Sequence, residues 1–358
     1  MEEGSQTPLL KVRAWTHDTT GPPEKVLSLH NSLPRPHFGS GTQVLVRVKY
    51  AALNPAGSVM MQLCPSFLRA KPSIPEMDFA GQIVEVGVDA DPSGGLKPGV
   101  EVFGSIPVSD HLKGQGSLSD YVILDACYVA IVPKGVDMQG AAGLPIAGCT
   151  ALCLMEQAHL QPGQKILVNG AAGGIGSLVT QMVRYAIGTE GRLVAVCSRD
   201  KERFARDLGA EEVIDHRTQI PVHKLLAEKY CGDKFDTIID AYGVQSLFDN
   251  CAAFLKESGS YVTVGIAFEH YTYGSMLVAV SRMLRNVLWP RLLGGTPRRY
   301  VQVTSACTFD GLQKLKELCE EGKLKVPIDS IWDFNDVPNA YDRMLSRRAR
   351  GKVVVKVC

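Results

Sequence analysis

The sequence predicts an α/β protein in which an irregular β-rich domain precedes a doubly wound parallel sheet and the chain end returns to the first domain. Three observations carry this. Up to about residue 135 the chain is rich in Val, Gly and Pro with short alternating segments; from about Gly140 helical patterns alternate with short apolar runs; and one glycine-rich loop joins an apolar run directly to a helix. The length of 358 residues exceeds a single domain of about 100 to 200, so two domains are expected. We place their limits at 1–139, 140–306 and a returning segment 307–358.

The elements follow in order. Val44 to Val48 (VLVRV), Gln82 to Val86 (QIVEV) and Tyr121 to Leu124 alternate with the period of half-buried strands. Beyond Gly140 the apolar runs Ile166 to Val168, Leu193 to Val196, Ile238 to Ile239 and Tyr261 to Val264 are separated by helical stretches, the signature of βαβ units. A helix is expected over Gly311 to Glu321, closed by Gly322, and Lys352 to Val357 (KVVVKV) is a strand expected to pair with the first domain. No internal repeat or low-complexity linker interrupts this order.

Composition excludes several classes of function. The chain carries 38 basic and 37 acidic residues, a formal charge of +1, with no long run of either sign, so no nucleic-acid partner is expected. The N-terminus, MEEGSQTPLLKVRAW, has neither the basic start and apolar run of a secretory signal nor the arginine-rich character of a transit peptide. Ten cysteines are spread along the chain, which reads as reduced thiols in a cytoplasmic protein; Cys149 and Cys153, one helical turn apart, read as two small buried thiols instead of a metal site. The longest apolar stretch, Met276 to Trp289, is broken by Arg282 and Arg285 and falls short of the roughly 20 residues that span a bilayer, so no membrane insertion is expected.

The strongest chemical signal is KILVNGAAGGIGSLVTQMVRYAIG. An apolar run leads into Gly170, Gly173 and Gly176, and Ile175, Leu178, Val179, Met182, Val183 and Ala186 then follow helical spacing. A dinucleotide site needs this arrangement: one glycine for the tight turn, one for close approach of backbone N–H groups to a pyrophosphate, one for helix-to-strand packing. The loop residues Gly170, Ala172, Gly173, Gly174, Ile175 and Gly176 are therefore assigned to cofactor binding. A glycine-rich turn without a ligand is the competing reading, and the strand before and helix after favour the dinucleotide.

An NAD site usually ends its second strand in Asp or Glu, which accepts from the ribose hydroxyls. Here the position reads Val196-Cys197-Ser198-Arg199-Asp200-Lys201, with no carboxylate at the strand end and Arg203 close behind. This favours the 2′-phosphate of NADPH, with Ser198 and Arg199 as first contacts and Lys201 after them. For Lys201 and Arg203 the alternative is a solvated charge on the following helix.

These segments, with ALNPAG (Ala52 to Gly57), IPEMDFAGQIVEVG (Ile74 to Gly87), LKPGVEVFG (Leu96 to Gly104), GLPIAGCTAL (Gly143 to Leu152), LGAEEVID (Leu208 to Asp215), FDTIIDAYG (Phe235 to Gly243), VTVG (Val262 to Gly265) and GKVVVKV (Gly351 to Val357), make the chain resemble the medium-chain dehydrogenase/reductase superfamily. The resemblance is to its zinc-free, quinone oxidoreductase-like branch and runs over nearly the whole length. It implies a GroES-like β domain carrying both chain ends, a Rossmann domain, and a cofactor in the cleft between them. It further implies that Asn54 lies beside the nicotinamide ribose, that Thr150 starts a helix facing the nicotinamide, that Gly265 and Ile266 line the nicotinamide pocket, and that Ala241 to Gly243 pass close to the cofactor.

Departures from the family pattern matter as well. Where zinc members carry a GHE segment this chain has Met77-Asp78-Phe79, and it has no CxxCxxC cluster, so no metal is expected. Many relatives have Asp two residues after the NP pair and then a tyrosine considered a proton donor; here the run is Asn54-Pro55-Ala56-Gly57-Ser58-Val59-Met60. Where relatives have Tyr near the adenosine phosphate this chain has His216, which either donates one hydrogen bond there or is a surface side chain. Tyr50, Ser58, Asp78 and Tyr242 are acid candidates by nearness to motifs alone, so solvent is the expected proton source.

Without a metal to polarise an alcohol, reduction is the expected direction. The reading is an NADPH-dependent reductase acting on a small hydrophobic, electron-poor substrate, a quinone or an activated C=C. Its rivals are a trans-acting enoyl reductase that takes its chain from an acyl carrier protein, and a cofactor-binding adaptor without turnover. The stretch 276–300 places Met276, Val280, Met283, Leu284, Val287 and Leu288 on one helical face. That face is read as core packing or subunit contact, as the wall of an apolar pocket, or as a membrane-surface contact; the resemblance favours the first two and a homodimer.

Overall fold

The computed structural model describes residues 11–39, 41–90, 95–267, 270–289 and 294–358. The start of the N-terminal stretch, and residues 290–293 of the apolar segment, lie outside the described residues. A two-stranded antiparallel ribbon of β1 (Lys11–Thr16) and β2 (Ser28–Pro34) opens the chain. A second sheet is built from β3 (Gln43–Ala52), β4 (Asp78–Val86), β5 (Glu101–Ser105), β6 (Tyr121–Asp125) and β7 (Val129–Ile131). A third holds β8 (Lys165–Asn169), β9 (Arg192–Cys197), β10 (Glu212–Asp215), β11 (Phe235–Asp240), β12 (Leu255–Thr263) and β13 (Arg299–Gln302). The chain end supplies β14 (Ile328–Asp333) and β15 (Lys352–Lys356) to the second sheet, where β15 pairs antiparallel with β3.

The six strands of the third sheet are all parallel, in the order β10-β9-β8-β11-β12-β13. Counted from β8 this is 3-2-1-4-5-6, the order that opens a crevice above the C-terminal ends of β8 and β11 where the winding reverses. Every residue of β8 is buried because helices cover both faces. Ile166 and Val168 face one apolar cluster and Leu167, between them, faces another with Phe235, Tyr261 and Phe254.

The first of those clusters also crosses between the sheets. It runs from Ala52, Ala80 and Phe103 of the second sheet through Ala147, Ala151 and Leu154 of the helix Pro145–Ala158 to Val168 and Val179. The two domains therefore share apolar packing along one helix, and the crevice lies beside it.

Two strands of the parallel sheet were not among those read from the sequence: β10 and β13, four residues each, form its edges and are only half-buried. The helix expected over 311–321 spans Phe309–Glu320, with Thr308 Oγ1 accepting from Gly311 N at 3.2 Å as its N-cap. Of the helix Tyr273–Leu288 only Ala279 is buried, while Leu277, Leu284, Val287 and Leu288 are 47–70% exposed. Packing into this chain's own core is thus not what that face does.

Candidate functional site

β8 ends at Asn169 and the chain turns through Gly170, whose φ of 72° is a left-handed conformation that suits glycine. Gly173 caps the helix Gly174–Ile187 in extended conformation and offers no side chain; the nearest atom a Cβ there would meet is Gly170 O at 3.4 Å, so the approach to the helix start is open. Gly176 is the opposite case. A Cβ on it would collide with the Gly170 carbonyl, with the carbon at 2.7 Å, so helix and loop pack at a distance only glycine permits. The first N–H groups of the helix lack intrahelical partners and carry the positive end of its dipole. A glycine-built terminus of this kind, with only the Lys352 stem close to Gly174, fits a dinucleotide pyrophosphate.

Two neighbouring turns wall this loop. Asp240, fully buried at the end of β11, accepts at Oδ1 from Asn169 Nδ2 (2.7 Å), Tyr242 N (3.0 Å) and Gly243 N (2.8 Å), and at Oδ2 from Val244 N (2.7 Å) and Tyr261 OH (2.5 Å). One carboxylate thereby ties β8, the Ala241–Gly243 turn and β12 together. Gly243 has φ 97°, and its O accepts from Ala267 N at 2.9 Å, which brings the Gly265–Ile266 turn alongside. The glycine loop, Ala241, Gly243, Gly265 and Ile266 are thus gathered at one end of the sheet.

The residues read as phosphate contacts behave differently from one another. Arg199 and Arg203 are exposed. Ser198 is 1% exposed, and its hydroxyl, though close enough to help hold the Asp200 carboxyl below its usual range, makes no hydrogen bond of ordinary geometry. Lys201 is buried and donates to Ala349 O at 2.7 Å, a bond that fastens the end of β9 to the returning chain end. Arg217 and Arg350 stand on either side of Asp200, at 3.3 and 3.7 Å. Neither was singled out from the sequence, since Arg350 comes from the far end of the chain. His216 is half-buried with its pKa lowered by burial and by Arg217, so its ring is neutral near pH 7.

Across the crevice, Asn54 and Thr150 belong to one buried polar network. Asn54 Nδ2 donates to Asp78 Oδ2 (3.0 Å) and Ala52 O (3.2 Å), and Asn54 Oδ1 accepts from Lys352 Nζ at 2.6 Å. Asp78 also accepts from Ile146 N at 3.2 Å, at the start of the helix Pro145–Ala158, where the dipole favours an anion. Thr150 Oγ1 donates back to Ile146 O at 2.7 Å. Lys352 joins the two halves: its Nζ reaches Asn54, and its Cδ lies 3.1 Å from where a Cβ on Gly174 would be.

Burial dominates the electrostatics here. It raises Asp78 to about 6 against the opposing pull of Lys352 and Asn54, and raises Glu76 to about 8 against Tyr341 and the Asn54 N–H. Lys352 is lowered by burial, with Asp78 opposing. Near neutrality the cluster is an Asp78 carboxylate facing the Lys352 ammonium at 3.8 Å with a neutral Glu76 beside them. Of the acid candidates, Ser58 is fully buried and accepts from Gln62 Nε2 at 2.8 Å, Tyr50 is half-buried in β3, and Tyr242 is 40% exposed with the Arg347 guanidinium 5.8 Å above its ring. Tyr271, raised by burial, faces Arg347, Tyr242 and Ser58 from the segment before the exposed helix. Glu76, Tyr271, Tyr341 and Lys352 had not been identified as site residues; each stands in its segment as an ordinary residue, and only folding brings them together.

Among the described residues no group of three or more His, Cys, Asp or Glu is placed to hold a metal ion. Of the two cysteines read as buried thiols, Cys149 is buried and Cys153 only half-buried; the Cys149 and Cys307 thiols share a hydrogen bond, which with burial raises Cys307.

Residues 40–134 match the alcohol dehydrogenase GroES-like domain family, and residues 208–355 match the zinc-binding dehydrogenase family. The chain is 30% identical to the trans-enoyl reductase poxH of Penicillium oxalicum over 97% of its own length and 98% of that protein. It is 30% identical to the chloroplastic NADPH-dependent alkenal/one oxidoreductase of Arabidopsis thaliana, over 96% of this chain and 79% of the other. Among solved structures, the quinone oxidoreductase of Coxiella burnetii superposes with a TM-score of 0.77 at 25% identity, covering 98% of this chain and all of its own. The chain belongs to the medium-chain dehydrogenase/reductase superfamily, in its zinc-free, quinone oxidoreductase-like branch, a family of oxidoreductases that work with a nicotinamide dinucleotide.

Proposed function

We propose that the protein is an NADPH-dependent reductase that delivers a hydride to the electron-poor C=C of an α,β-unsaturated carbonyl or to a quinone. The observation that carries the reading is the span of Lys352, which sets Asn54 one side-chain length from the helix start at Gly174. The bound dinucleotide supplies the hydride. The N–H groups at Gly174 to Gly176 hold its pyrophosphate, the turns at Ala241–Gly243 and Gly265–Ile266 line its nicotinamide end, and Asn54 and Thr150 face it from across the crevice.

The hydrogen bonds of the last two limit what they do. Both Nδ2 protons of Asn54 are engaged by Ala52 O and Asp78, and the Thr150 hydroxyl proton by Ile146 O. Neither has a proton to give, so they orient, and the α-carbon of the reduced enone takes its proton from solvent.

Preference for NADPH rests on the cationic end of β9, with exposed Arg199 and, beside it, Arg217 and Arg350. The name of the Arabidopsis relative agrees with it. Ser198 and Lys201 support the turn, and His216 offers one neutral donor. Domain limits of 1–139, 140–306 and 307–358, a homodimer through the exposed helix face, and a cytoplasmic location belong to the same reading. No helix among the described residues is long and apolar enough to cross a membrane.

The test is calorimetric titration with NADPH and NADH, followed by loss of NADPH absorbance over a panel of enals, enones and quinones. Expected are micromolar NADPH binding, NADH weaker by about tenfold or more, and turnover of at least one acceptor. Equal affinities would remove the phosphate argument, and binding without turnover would favour the adaptor. Because the full-length match to poxH favours it, a second reading has the same site reducing a chain tethered to an acyl carrier protein. A carrier-bound enoyl thioester reduced far faster than its free counterpart would establish it.

A further inference from the structure

We propose that Glu76 is a positioning residue of this reductase, its carboxyl filling the space that Gly57 leaves and fixing Asn54 against the cofactor. The inference rests on the reading of Asn54 given above.

Glu76 sits on a left-handed backbone turn, φ 64°, that side chains seldom adopt, and it is completely buried. The turn aims the carboxyl at the start of the helix Pro55–Leu63. There Oε2 accepts from Asn54 N at 3.0 Å and Oε1 meets Tyr341 OH at 2.8 Å. A Cβ on Gly57 would lie 2.5 Å from the Glu76 carboxyl carbon and 2.6 Å from Oε2, so a side chain at 57 would push this carboxyl off its place. The carboxyl that stands against position 57 is thus delivered from another segment.

The groups facing Glu76 come from every element around it. They are Asp78 of β4, Lys352 of β15, Tyr341 of the helix Val337–Leu345, the Asn54 N–H, and Tyr271 from across the crevice. With Asp78 and Lys352 already paired, a neutral Glu76 adds no charge. It accepts from Tyr341 OH at Oε1 and from Asn54 N–H at Oε2, holding the residue whose side chain is pinned by Asp78 and Lys352. Ionisation at high pH puts a second buried anion in the cluster and disturbs that hold.

The experiment compares the full chain with Glu76→Ala, Glu76→Gln, Gly57→Asp and the double variant Gly57→Asp/Glu76→Gly. It measures melting temperature, affinity for NADPH and for 2′,5′-ADP, which lacks the nicotinamide, and kcat and KM with an enone. Glu76→Ala is expected to weaken NADPH about fivefold and lower kcat about tenfold while 2′,5′-ADP changes less than about twofold. Glu76→Gln should recover most of both losses and remove the fall in kcat above about pH 8 expected of the parent. Gly57→Asp alone should be damaged, and the double variant should return toward the parent's ratio of NADPH to 2′,5′-ADP affinity. If Glu76→Ala folds and moves both affinities together, or neither, the assignment is wrong. If it does not fold, a double variant that folds without restoring the ratio overturns it just as well. A parent that binds NADPH but reduces nothing overturns the reductase reading alone, because the affinity ratio still decides Glu76.

Discussion

The glycine loop and the cluster under Asn54 face the same crevice but are made of different material. The loop is backbone: consecutive residues, the turn at Gly170, an open cap at Gly173, a helix pressed in at Gly176. The cluster is side chain: Asn54, Glu76, Asp78, Tyr341 and Lys352 come from positions nearly three hundred residues apart, and each hydrogen bond depends on the others. Backbone sites tolerate changes anywhere except where a Cβ intrudes. Side-chain clusters fail at any member, because the partners left behind are buried polar groups.

That contrast breaks most visibly at Gly176. Gly176→Val should abolish NADPH binding and lower the melting temperature sharply, since its Cβ meets backbone that cannot move aside. Gly173→Ala should leave the melting temperature nearly unchanged while weakening NADPH, since a Cβ there meets Gly170 O at 3.4 Å and would stand where the pyrophosphate is expected; calorimetry on both variants separates the two glycines.

In the cluster, Lys352→Met removes the cation that faces a fully buried Asp78. Breaking a buried pair from one side costs about 3 to 5 kcal/mol, so urea denaturation at pH 7 should show a loss in that range, smaller where Asp78 is protonated below about pH 6.

The Glu76 carboxyl gives a pH test of the same cluster. Its pKa is raised from 4.5 unfolded to about 8 folded, so the native state holds the proton longer, and its contribution to stability is complete below 4.5 and lost as pH rises through about 8. Glu76→Gln should flatten that slope by roughly 2 to 5 kcal/mol between pH 5 and 8.5, measured by urea denaturation across the range.

The smallest effect is expected at Arg199, which is exposed. Arg199→Ala should weaken NADPH about fivefold, leave NADH alone and keep the melting temperature. Equal loss for both cofactors would move phosphate recognition elsewhere, with Arg350 next to test.

How much was legible follows the same division. The parallel sheet was readable at β8, β9, β11 and β12, whose apolar residues are buried at its centre, and not at the four-residue edge strands β10 and β13, which are only half-buried. The turn residues Gly170, Gly173 and Gly176 were readable because local backbone geometry demands glycine in a fixed spacing. Ser198 and Lys201 were named for their chemistry and their place after β9, but the sequence could not show that Ser198 is buried and Lys201 bound to Ala349.

From the chain alone came the two-domain α/β architecture, the dinucleotide loop and the return of the last strand, since periodicity and turn chemistry are properties of neighbouring residues. Only the tertiary structure decided that Glu76 stands against Gly57, that Lys352 bridges the domains and that Asn54 has no proton to donate. Those facts depend on which distant side chains share a dry space, and burial, not residue type, sets their protonation and their partners.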